Sequence, residues 1–275
     1  MKKMAKSYKL IEKKKIHLSS IDPADTGRFK HKEEVMAEMM ELEQELEELQ
    51  KKLIAGKQHA VLFIFQGMDC SGKDGVIKKV FAGLHPQGIS AYSFKKPTEV
   101  EARHDFLWRA HRAVPELGQI AVFNRSYYED VLITRVHGEV SEEQAKKRFK
   151  HINHFETLLA DSGVKVVKIF LHISKQFQLE KLISRIEDPS KNWKFDPADI
   201  SERKAWKQYG ELYEELFEKC SKSAPWHVVP SDNRWYRNYA VLRIAVEALR
   251  SLELQDPPAN PELRPMLEKL KREND

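Results

Sequence analysis

The chain has 275 residues, a length that suits one α/β domain with appendages or two small domains. Hydrophobic residues make up 41% and charged residues 32%, a balance that predicts a soluble protein with a substantial core. No apolar run approaches the roughly 20 residues of a membrane helix, and the Lys-rich N-terminal stretch lacks the apolar segment of a secretory signal. The two cysteines, Cys70 and Cys220, lie far apart without metal-ligand spacing, so we expect reduced thiols in a cytoplasmic protein.

The charge is distributed unevenly along the chain. The net charge is +5, and residues 1–20 alone have seven lysines and one glutamate, or +6, which leaves −1 for the remainder. This basicity belongs to the N-terminal segment and does not favour a nucleic-acid partner. Residues 73–125 have nine Lys and Arg against five Asp and Glu, a local excess that indicates an anionic ligand.

The first predicted element is a long amphipathic helix. Residues 1–32 contain turn signals and predict an extended, irregular segment. Over 33–53 apolar residues then recur at spacings of three and four, namely Val35, Met39, Leu42, Leu46, Leu49 and Leu53. We favour packing of this stripe on its own domain; the alternative is a subunit contact through the same helix.

Strands and helices alternate through the rest of the chain. Strands are predicted at 60–66, 91–94, 120–123, 164–173 and 226–229, and helices at 76–84, 99–113, 142–160, 174–187, 201–220 and 235–252. This order predicts a three-layer α/β/α fold whose central parallel sheet binds ligands at the carboxyl ends of its strands. Residues 1–54 would form an N-terminal extension, 55–255 the main domain with a polar loop at 188–200, and 256–275 a proline-rich surface arm.

A glycine-containing loop follows the first apolar strand. Residues 67–74 read GMDCSGKD, which is similar to GxxxxGK[ST], the loop whose backbone N–H groups and lysine hold phosphates and whose hydroxyl holds Mg²⁺. Gly67 and Gly72 would let the chain wrap around an anion, and Lys73 would contribute a mobile positive charge. Asp74 stands where the hydroxyl residue is usual. The alternative is a strand–helix turn that binds nothing.

Two carboxylates accompany this loop. Asp69 and Asp74 would repel a phosphate unless a cation lay between them, and Mg²⁺ prefers such oxygen ligands. Asp74 also fits the start of the next helix, where it could act as a cap. We therefore predict that Asp69 binds the metal and that Asp74 caps the helix.

A second polar motif begins at Asn124 and would reach the same edge of the sheet. Arg125 can make bidentate contacts to a phosphate. Nucleotide kinases often have an Asp at such a strand end to hold Mg²⁺, where this chain has Asn124. Glu129 and Asp130 open the following segment, and the helix dipole alone would also explain acidic residues there.

The chain resembles the polyphosphate kinase 2 family, with the similarity running from about Ile16 to Leu252. Besides GMDCSGKD, the motifs that support the resemblance are FKKPT at 94–98, WRAHR at 108–112, FNRSYYED at 123–130, WKF at 193–195, ERKAW at 202–206, APW at 224–226 and PSDNRWYRN at 230–238. The resemblance implies a P-loop kinase fold related to thymidylate kinase, with a helical lid. It also implies phosphoryl transfer between inorganic polyphosphate and nucleotides with Mg²⁺. In the family the loop is GxDxxGK, so the residue after the lysine need not be Ser or Thr.

The resemblance also implies roles for individual residues. Asp69 would bind Mg²⁺ and orient the acceptor phosphate, Lys73 would neutralise charge on the transferred group, and Arg125 would clamp nucleotide phosphates. Arg185 would be catalytic and would begin a lid over 185–206 that excludes water. The nucleotide site would be shaped by Asn124, Arg125, Glu129 and Asp130. Phosphate or polyphosphate would contact Gly67, Cys70, Ser71, Gly72, Lys73, Asp74, Gly75, Lys95, Lys96, Arg109, His111, Arg112 and Lys194.

The sequence therefore predicts a polyphosphate:nucleotide phosphotransferase that acts reversibly on ADP. With Asn at position 124, the sequence resembles the branch of the family that also phosphorylates AMP. The resemblance implies adenine or guanine nucleotides as the acceptors. We expect a homodimer or homotetramer without nucleic-acid or membrane partners. The alternatives are an ATP-dependent nucleoside monophosphate kinase and a polyphosphate-binding protein without activity. His151 and His154 are spaced like metal ligands but lack an evident third ligand.

Overall fold

The computed structural model describes residues 8–10 and 16–272, apart from the side chains of residues 8–10, 268 and 272. The strands are β1 (Tyr8–Leu10), β2 (Ala60–Gln66), β3 (Ile89–Ser93), β4 (Ile120–Asn124), β5 (Val164–His172) and β6 (Trp226–Pro230). The helices are α1 (Glu33–Gly56), α2 (Lys73–Val80), α3 (Glu99–Ala102), α4 (Trp108–His111), α5 (Ile133–Val136), α6 (Glu142–Asp161), α7 (Lys175–Glu187), α8 (Ala198–Lys204), α9 (Trp206–Lys219), α10 (Arg234–Arg250) and α11 (Leu263–Arg272). Short 3₁₀ helices cover Leu18–Ser20, Pro86–Gly88, Tyr127–Val131 and Pro189–Lys194.

The strands form one sheet in the order β1-β6-β5-β2-β4-β3. The strands from β2 to β6 run parallel, as the alternation of strands and helices predicts. Every residue of β2 is buried, because helices cover both faces of this central strand. Phe65 near the end of β2 pairs with Asn124 at the end of β4, so the polar segments that follow both strands lie side by side.

Two hydrophobic cores lie on the two faces of the sheet. Val61, Phe63 and Phe65 of β2 pack in one core with residues of α1, α2 and α10. Leu62 and Ile64 pack in the other core with residues of α6 and α9. Side chains alternate between the faces of a strand, so one apolar strand contributes to both cores and gives the three predicted layers. The apolar stripe of α1 lies in the first core, with Leu49 at its margin and the other members buried, namely Val35, Met39, Leu42, Leu46 and Leu53.

The N-terminal segment contains a strand that the sequence does not predict. β1 lies within residues 1–32, and it pairs antiparallel with β6 with Leu10 opposite Trp226. The otherwise parallel sheet therefore has an antiparallel edge. Three residues are too few to show an alternation of polar and apolar side chains. Residues 1–7 and 11–15, which belong to the same predicted irregular segment, lie outside the described part of the chain.

The single helix predicted over 99–113 is wrong, because a turn separates α3 from α4. The side chain of Asp105 accepts a hydrogen bond from the backbone N–H of Leu107 at 2.9 Å. Such a local side-chain bond competes with the helical backbone pattern. The ring of His104 also stacks on Trp108, with 4.0 Å between centroids, which stabilises the turn.

The segment between α7 and α9 also differs from its predicted form. The polar loop predicted at 188–200 contains the 3₁₀ helix Pro189–Lys194 and the start of α8, and the helix predicted over 201–220 is divided at Ala205. The side chain of Asp188 accepts a hydrogen bond from the N–H of Ser190 at 3.1 Å and so begins the 3₁₀ helix. In the predicted C-terminal arm, α11 exposes its apolar side chains. None of the described helices has the length and apolarity needed to cross a membrane.

Candidate active site

The loop after β2 adopts a conformation that requires its glycines. Gly67 and Gly72 have φ angles of 150° and 88°, where side chains other than glycine are strained. A Cβ at Gly67 would lie 2.7 Å from the carbonyl oxygen of Leu171, and one at Gly72 would lie 2.0 Å from Nη1 of Arg237. Cys70 lies between them in the left-handed region at φ 67°. The loop is thus a closely wrapped segment that leads directly into the N-terminus of α2.

Lys73 is the first residue of α2, and only 8% of its surface is exposed. Its Nζ donates hydrogen bonds to the carbonyl oxygens of Gly67 at 2.8 Å and Met68 at 3.2 Å. Burial and the nearby charge of Arg125 lower the pKa of the Lys73 ammonium, and the negative charge of Asp69 opposes that shift. The predicted cation is therefore inside the loop and close to a carboxylate.

Asp69 and Arg125 join the two predicted motifs across neighbouring strands. Nη2 of Arg125 lies 2.5 Å from Oδ1 of Asp69. Burial alone would raise the pKa of Asp69, but the charges of Arg125 and Lys73 outweigh it, so the pKa is lowered and the carboxylate stays ionised. Arg125 itself has a φ of 61°, a left-handed conformation that is strained for arginine. Such strain is typical of functional positions.

Glu129 lines the same pocket as Asp69 and Arg125. Burial raises the pKa of Glu129, and the charges of Arg125 and Lys73 partly oppose this shift. The remaining lining residues come from the loop, α5, α7, α8 and α9, and they are Gly67, Met68, Ile133, Gln178, Glu202, Trp206, Tyr209 and Tyr213. The pocket lining thus combines the cation of Arg125 with three carboxylates, those of Asp69, Glu129 and Glu202, and with three aromatic side chains.

The predicted capping role of Asp74 is wrong. The N-cap residue of α2 is Gly72, which has no side chain, so no side-chain hydrogen bond is made from the N-cap position. Oδ1 of Asp74 instead accepts a hydrogen bond of 2.5 Å from Nδ2 of Asn124 at the end of β4. The two predicted motifs therefore meet at a second point, where an amide and a carboxylate form a pair that has one negative charge.

The lid segment is connected to the loop by hydrogen bonds. Nη1 of Arg185 lies 3.1 Å from Oδ2 of Asp199 and 3.1 Å from the carbonyl oxygen of Lys194. The charge of Arg185 is also close enough to help lower the pKa of Asp69. Arg203 of α8 donates to Oε1 of Gln178 at 2.9 Å, and Gln178 donates to the carbonyl oxygen of Asp69 at 3.1 Å. Gln178 therefore links the predicted lid segment, residues 185–206, to the backbone of Asp69.

Asp130 points away from its neighbour Glu129. Its carboxylate lies 3.5 Å from Nη2 of Arg109 and 3.7 Å from Nη1 of Arg148. Burial raises the pKa of Asp130, and those two arginines partly oppose the shift. The side chain is not part of the pocket lining. The predicted nucleotide contact of Asp130 would require these ion pairs to separate.

The residues predicted to contact polyphosphate fall into several environments. Gly67 and Cys70 to Gly75 form the loop and the start of α2. The exposed side chains of Lys95 and Lys96 follow β3, whereas Arg109 is paired with Asp130 and lies over the ring of Phe94. Among the others, Arg112 lies over Trp108, His111 contacts the edge of Phe155, and Lys194 lies in the exposed lid. These residues therefore differ in their partners and in their exposure.

The sequence alone assigns no role to four residues near the site. Arg237 lies behind Gly72, and Gln178 binds the loop carbonyl. Oε1 of Glu156 accepts hydrogen bonds from the hydroxyls of Tyr127 at 2.9 Å and Tyr128 at 2.5 Å, which fixes the 3₁₀ helix that includes Glu129. The buried ammonium of Lys168 lies 2.7 Å from the other oxygen of Glu156. A lysine within an apolar strand is the one signal that could have indicated this network, since buried charges are normally paired.

The described residues contain no group of three or more His, Cys, Asp or Glu side chains arranged to hold a metal ion. His151 and His154 instead line a groove with His104 and His111.

The chain is similar to proteins of one family over most of its length. The AMP/ADP-polyphosphate phosphotransferase of Meiothermus ruber is 43% identical over 254 residues, which cover 92% of this chain and 95% of that protein. The ADP-polyphosphate phosphotransferase of Rhodopseudomonas palustris is 39% identical over 287 residues, which cover 99% of both. The crystal structure of polyphosphate kinase 2 from Arthrobacter aurescens TC1 superimposes with a TM-score of 0.89 at 39% identity, covering 94% of this chain and 95% of that one. The sequence model of polyphosphate kinase 2 matches residues 29–257, and the chain therefore belongs to the polyphosphate kinase 2 family.

Proposed function

We propose that this protein transfers the terminal phosphoryl group of inorganic polyphosphate to ADP and also to AMP, and that the reaction is reversible. The names of relatives that are 43% and 39% identical over nearly the whole chain support this activity. The observation that contributes most is the arrangement of Lys73, Arg125 and ionised Asp69 around one wrapped loop. Phosphoryl transfer requires positioning and charge stabilisation from the protein rather than a covalent nucleophile.

The cations would stabilise negative charge on the phosphate groups. Lys73 would turn from the loop carbonyls towards the phosphoryl group in transfer, where it would offset charge in the transition state. Arg125 would bind nucleotide phosphates, and its pair with Asp69 would align it beforehand. Arg185 would exchange its contact with Asp199 for the phosphate chain as the lid closes, which would exclude water and suppress hydrolysis.

We propose Mg²⁺ as the cofactor, with Asp69 as its protein ligand. The fit is chemical: Asp69 is an ionised oxygen donor beside the loop, and Mg²⁺ characteristically uses one or two carboxylates together with substrate phosphates and waters. When bound, the ion would neutralise phosphate charge and orient the reacting oxygens. Asp69 would thereby hold the acceptor phosphate in line with the donor.

Several finer assignments are part of the same proposal. Asn124, Glu129 and Asp130 would form the nucleotide site, with adenine or guanine as the base. We propose that both AMP and ADP are acceptors because this chain has Asn124 at the end of β4, where nucleotide kinases often have an Asp. A homodimer or homotetramer in the cytoplasm stays a prediction, and a monomeric mass by light scattering at micromolar concentration would reject the oligomer.

The decisive experiment uses the purified protein with polyphosphate and Mg²⁺ in the absence of ATP. We expect ADP to be converted to ATP, and AMP to ADP, in separate reactions. Activity only when ATP replaces polyphosphate would identify an ATP-dependent nucleotide kinase instead. Tripolyphosphate binding without turnover of either nucleotide would identify a binding protein.

Two variants test the site itself. Lys73→Met and Asp69→Asn should each lower kcat by at least about 100-fold, the loss expected when a transition-state charge contact is removed. Lys79→Met is the matched control, because this exposed lysine of α2 pairs with Glu43 on the protein surface. Turnover close to that of the wild type in both site variants would contradict the assignment.

A further inference from the structure

Arg237 of α10 lies directly against the phosphate-binding loop, and 5% of its surface is exposed. Its Nη1 donates a hydrogen bond to the carbonyl oxygen of Ser71 at 3.2 Å. The same nitrogen occupies the space that a side chain at position 72 would need, and Nη2 lies 3.8 Å from the position of a Cβ on Gly75. The loop and the first turn of α2 are therefore built around this guanidinium.

The charge of Arg237 has no carboxylate partner among the described residues. Its remaining hydrogen bonds go to the amide oxygen of Asn238 at 3.3 and 3.2 Å, and the nearby charged groups are two other cations, Arg234 and Lys181. Burial and the repulsion from Arg234 lower the pKa of the guanidinium to about 10, which reflects the missing counter-charge. By contrast, the buried Arg243 of the same helix pairs with Glu38. A buried charge without a partner is costly, so the position of Arg237 calls for an anion nearby.

Other sources of positive potential converge on the same place. The N-terminus of α2 is the positive end of its dipole, and Lys73 is buried there. The nearby carboxylates Asp69 and Glu129 offset the charges of Arg125 and Lys73, and neither is among the groups that shift the pKa of Arg237. Adding a fixed guanidinium to a helix N-terminus and a lysine is favourable only where a strongly negative ligand is bound. A polyphosphate chain is such a ligand, because each of its units is negatively charged.

We propose that Arg237 is a positioning residue for the polyphosphate donor, and that its charge acts through the loop on the phosphate groups that the loop binds. This inference rests on the proposed function and assigns the donor chain, rather than the nucleotide, to the loop. The residue is too deeply placed to count as catalytic. It would raise affinity for the chain without contacting the acceptor.

The test measures thermal unfolding and binding of inorganic tripolyphosphate in the full-length protein. Arg237→Met should unfold at a temperature no lower than the wild type, because an apolar side chain replaces an unpaired buried charge. Its affinity for tripolyphosphate should fall by at least about tenfold, the order expected for one unit charge acting over roughly 10 Å at an effective dielectric constant of about 20. Its affinity for ADP should stay within about twofold of the wild type, and Arg237→Lys should restore most of the tripolyphosphate affinity.

Arg243→Met is the matched control, since it removes a paired arginine from the same helix. It should unfold at a lower temperature, because Glu38 loses its partner, and it should bind tripolyphosphate as the wild type does. If Arg237→Met behaves like this control, the residue is only a structural support and the proposal is wrong. A loss of ADP affinity with unchanged tripolyphosphate affinity would equally overturn it, because the loop would then hold the nucleotide.

Two further arms keep the outcomes separate. If Arg237→Met does not fold, Arg237→Gln and Arg237→Lys compare a neutral donor with a charged one, and equal tripolyphosphate affinities would refute the proposal. If the wild type fails to phosphorylate nucleotides with polyphosphate, the proposed function fails. The tripolyphosphate affinities of the wild type and the Arg237 variants would still show whether the charge of Arg237 contributes to anion binding at the loop.

Discussion

The pair formed by Asn124 and Asp74 predicts a specific response to the Asn124→Asp substitution. In the wild type the amide donates to the carboxylate at 2.5 Å. In the variant two carboxylates would face each other, and charges about 4 Å apart repel by about 1 kcal/mol in water and about 4 kcal/mol at an effective dielectric constant of about 20. Asp74 is exposed, so we expect a loss of about 1–2 kcal/mol, which corresponds to about 2–8 °C in unfolding temperature for a chain of this size.

This loss should depend on pH and on metal. Repulsion raises the folded-state pKa of one carboxyl above its unfolded value, which is about 4. A carboxyl with a raised folded-state pKa binds its proton more tightly in the folded protein. The destabilisation is therefore absent below the unfolded pKa and grows as the pH rises through the folded pKa. Mg²⁺ should relieve it, because two neighbouring carboxylates attract a hard cation.

The assay is thermal unfolding of wild type and Asn124→Asp between pH 4 and pH 9, in EDTA and in Mg²⁺. The double variant Asn124→Asp with Asp74→Asn reverses the pair and should restore the unfolding temperature at pH 8. Equal unfolding temperatures of the single variant and the wild type at pH 8 in EDTA would refute the reasoning. So would a double variant that is no more stable than Asn124→Asp alone.

The remaining predictions concern buried groups and the C-terminal arm. Lys168→Met should lower the free energy of unfolding in urea by about 3–5 kcal/mol, because it leaves Glu156 buried without its ion-pair partner. The double variant Lys168→Met with Glu156→Met should show a smaller fall in the free energy of unfolding. An equal fall in the single and double variants would contradict the prediction. Burial raises the pKa of the Cys70 thiol to about 11. Iodoacetamide at pH 7.5 should therefore modify the wild type at less than about one tenth of the rate for free cysteine, with Cys70→Ser as the background control. A rate equal to that of free cysteine would argue against a raised thiol pKa. Deleting residues 257–275 should change the unfolding temperature by less than about 2 °C because α11 is exposed, and a larger fall would mean that the arm packs on the fold.

Local patterns in the sequence were sufficient to predict much of the fold. The apolar run at 60–66 and the glycines that follow it predict a buried strand and a wrapped loop, and both are present. The stripe of α1 likewise predicts a helix with one buried face. Such patterns depend on spacing within a few turns or strands, so they are readable without tertiary information. Where local bonds competed with periodicity, as at Asp105, the predicted helix did not form.

Charge pairing could not be predicted in this way. Asp74 has the sequence position of a helix cap, yet its partner is Asn124, which lies 50 positions away. Glu129 and Asp130 are adjacent in sequence, but one lines the pocket and the other pairs with Arg109 and Arg148. Neighbouring residues of a 3₁₀ helix point in different directions, and the elements packed around that helix decide which partners each one meets.

The sequence by itself determined the family, the α/β architecture and the loop at the end of the first parallel strand, because each depends on residue types at short, fixed spacings. The tertiary structure alone decided which charges are compensated. It brought Arg125 to Asp69 across 56 positions and Arg237 to Ser71 across 166. It also left Arg237 without a carboxylate among the described residues. The energy of a charge depends on burial and on the groups that surround it in space, and packing of distant segments fixes both.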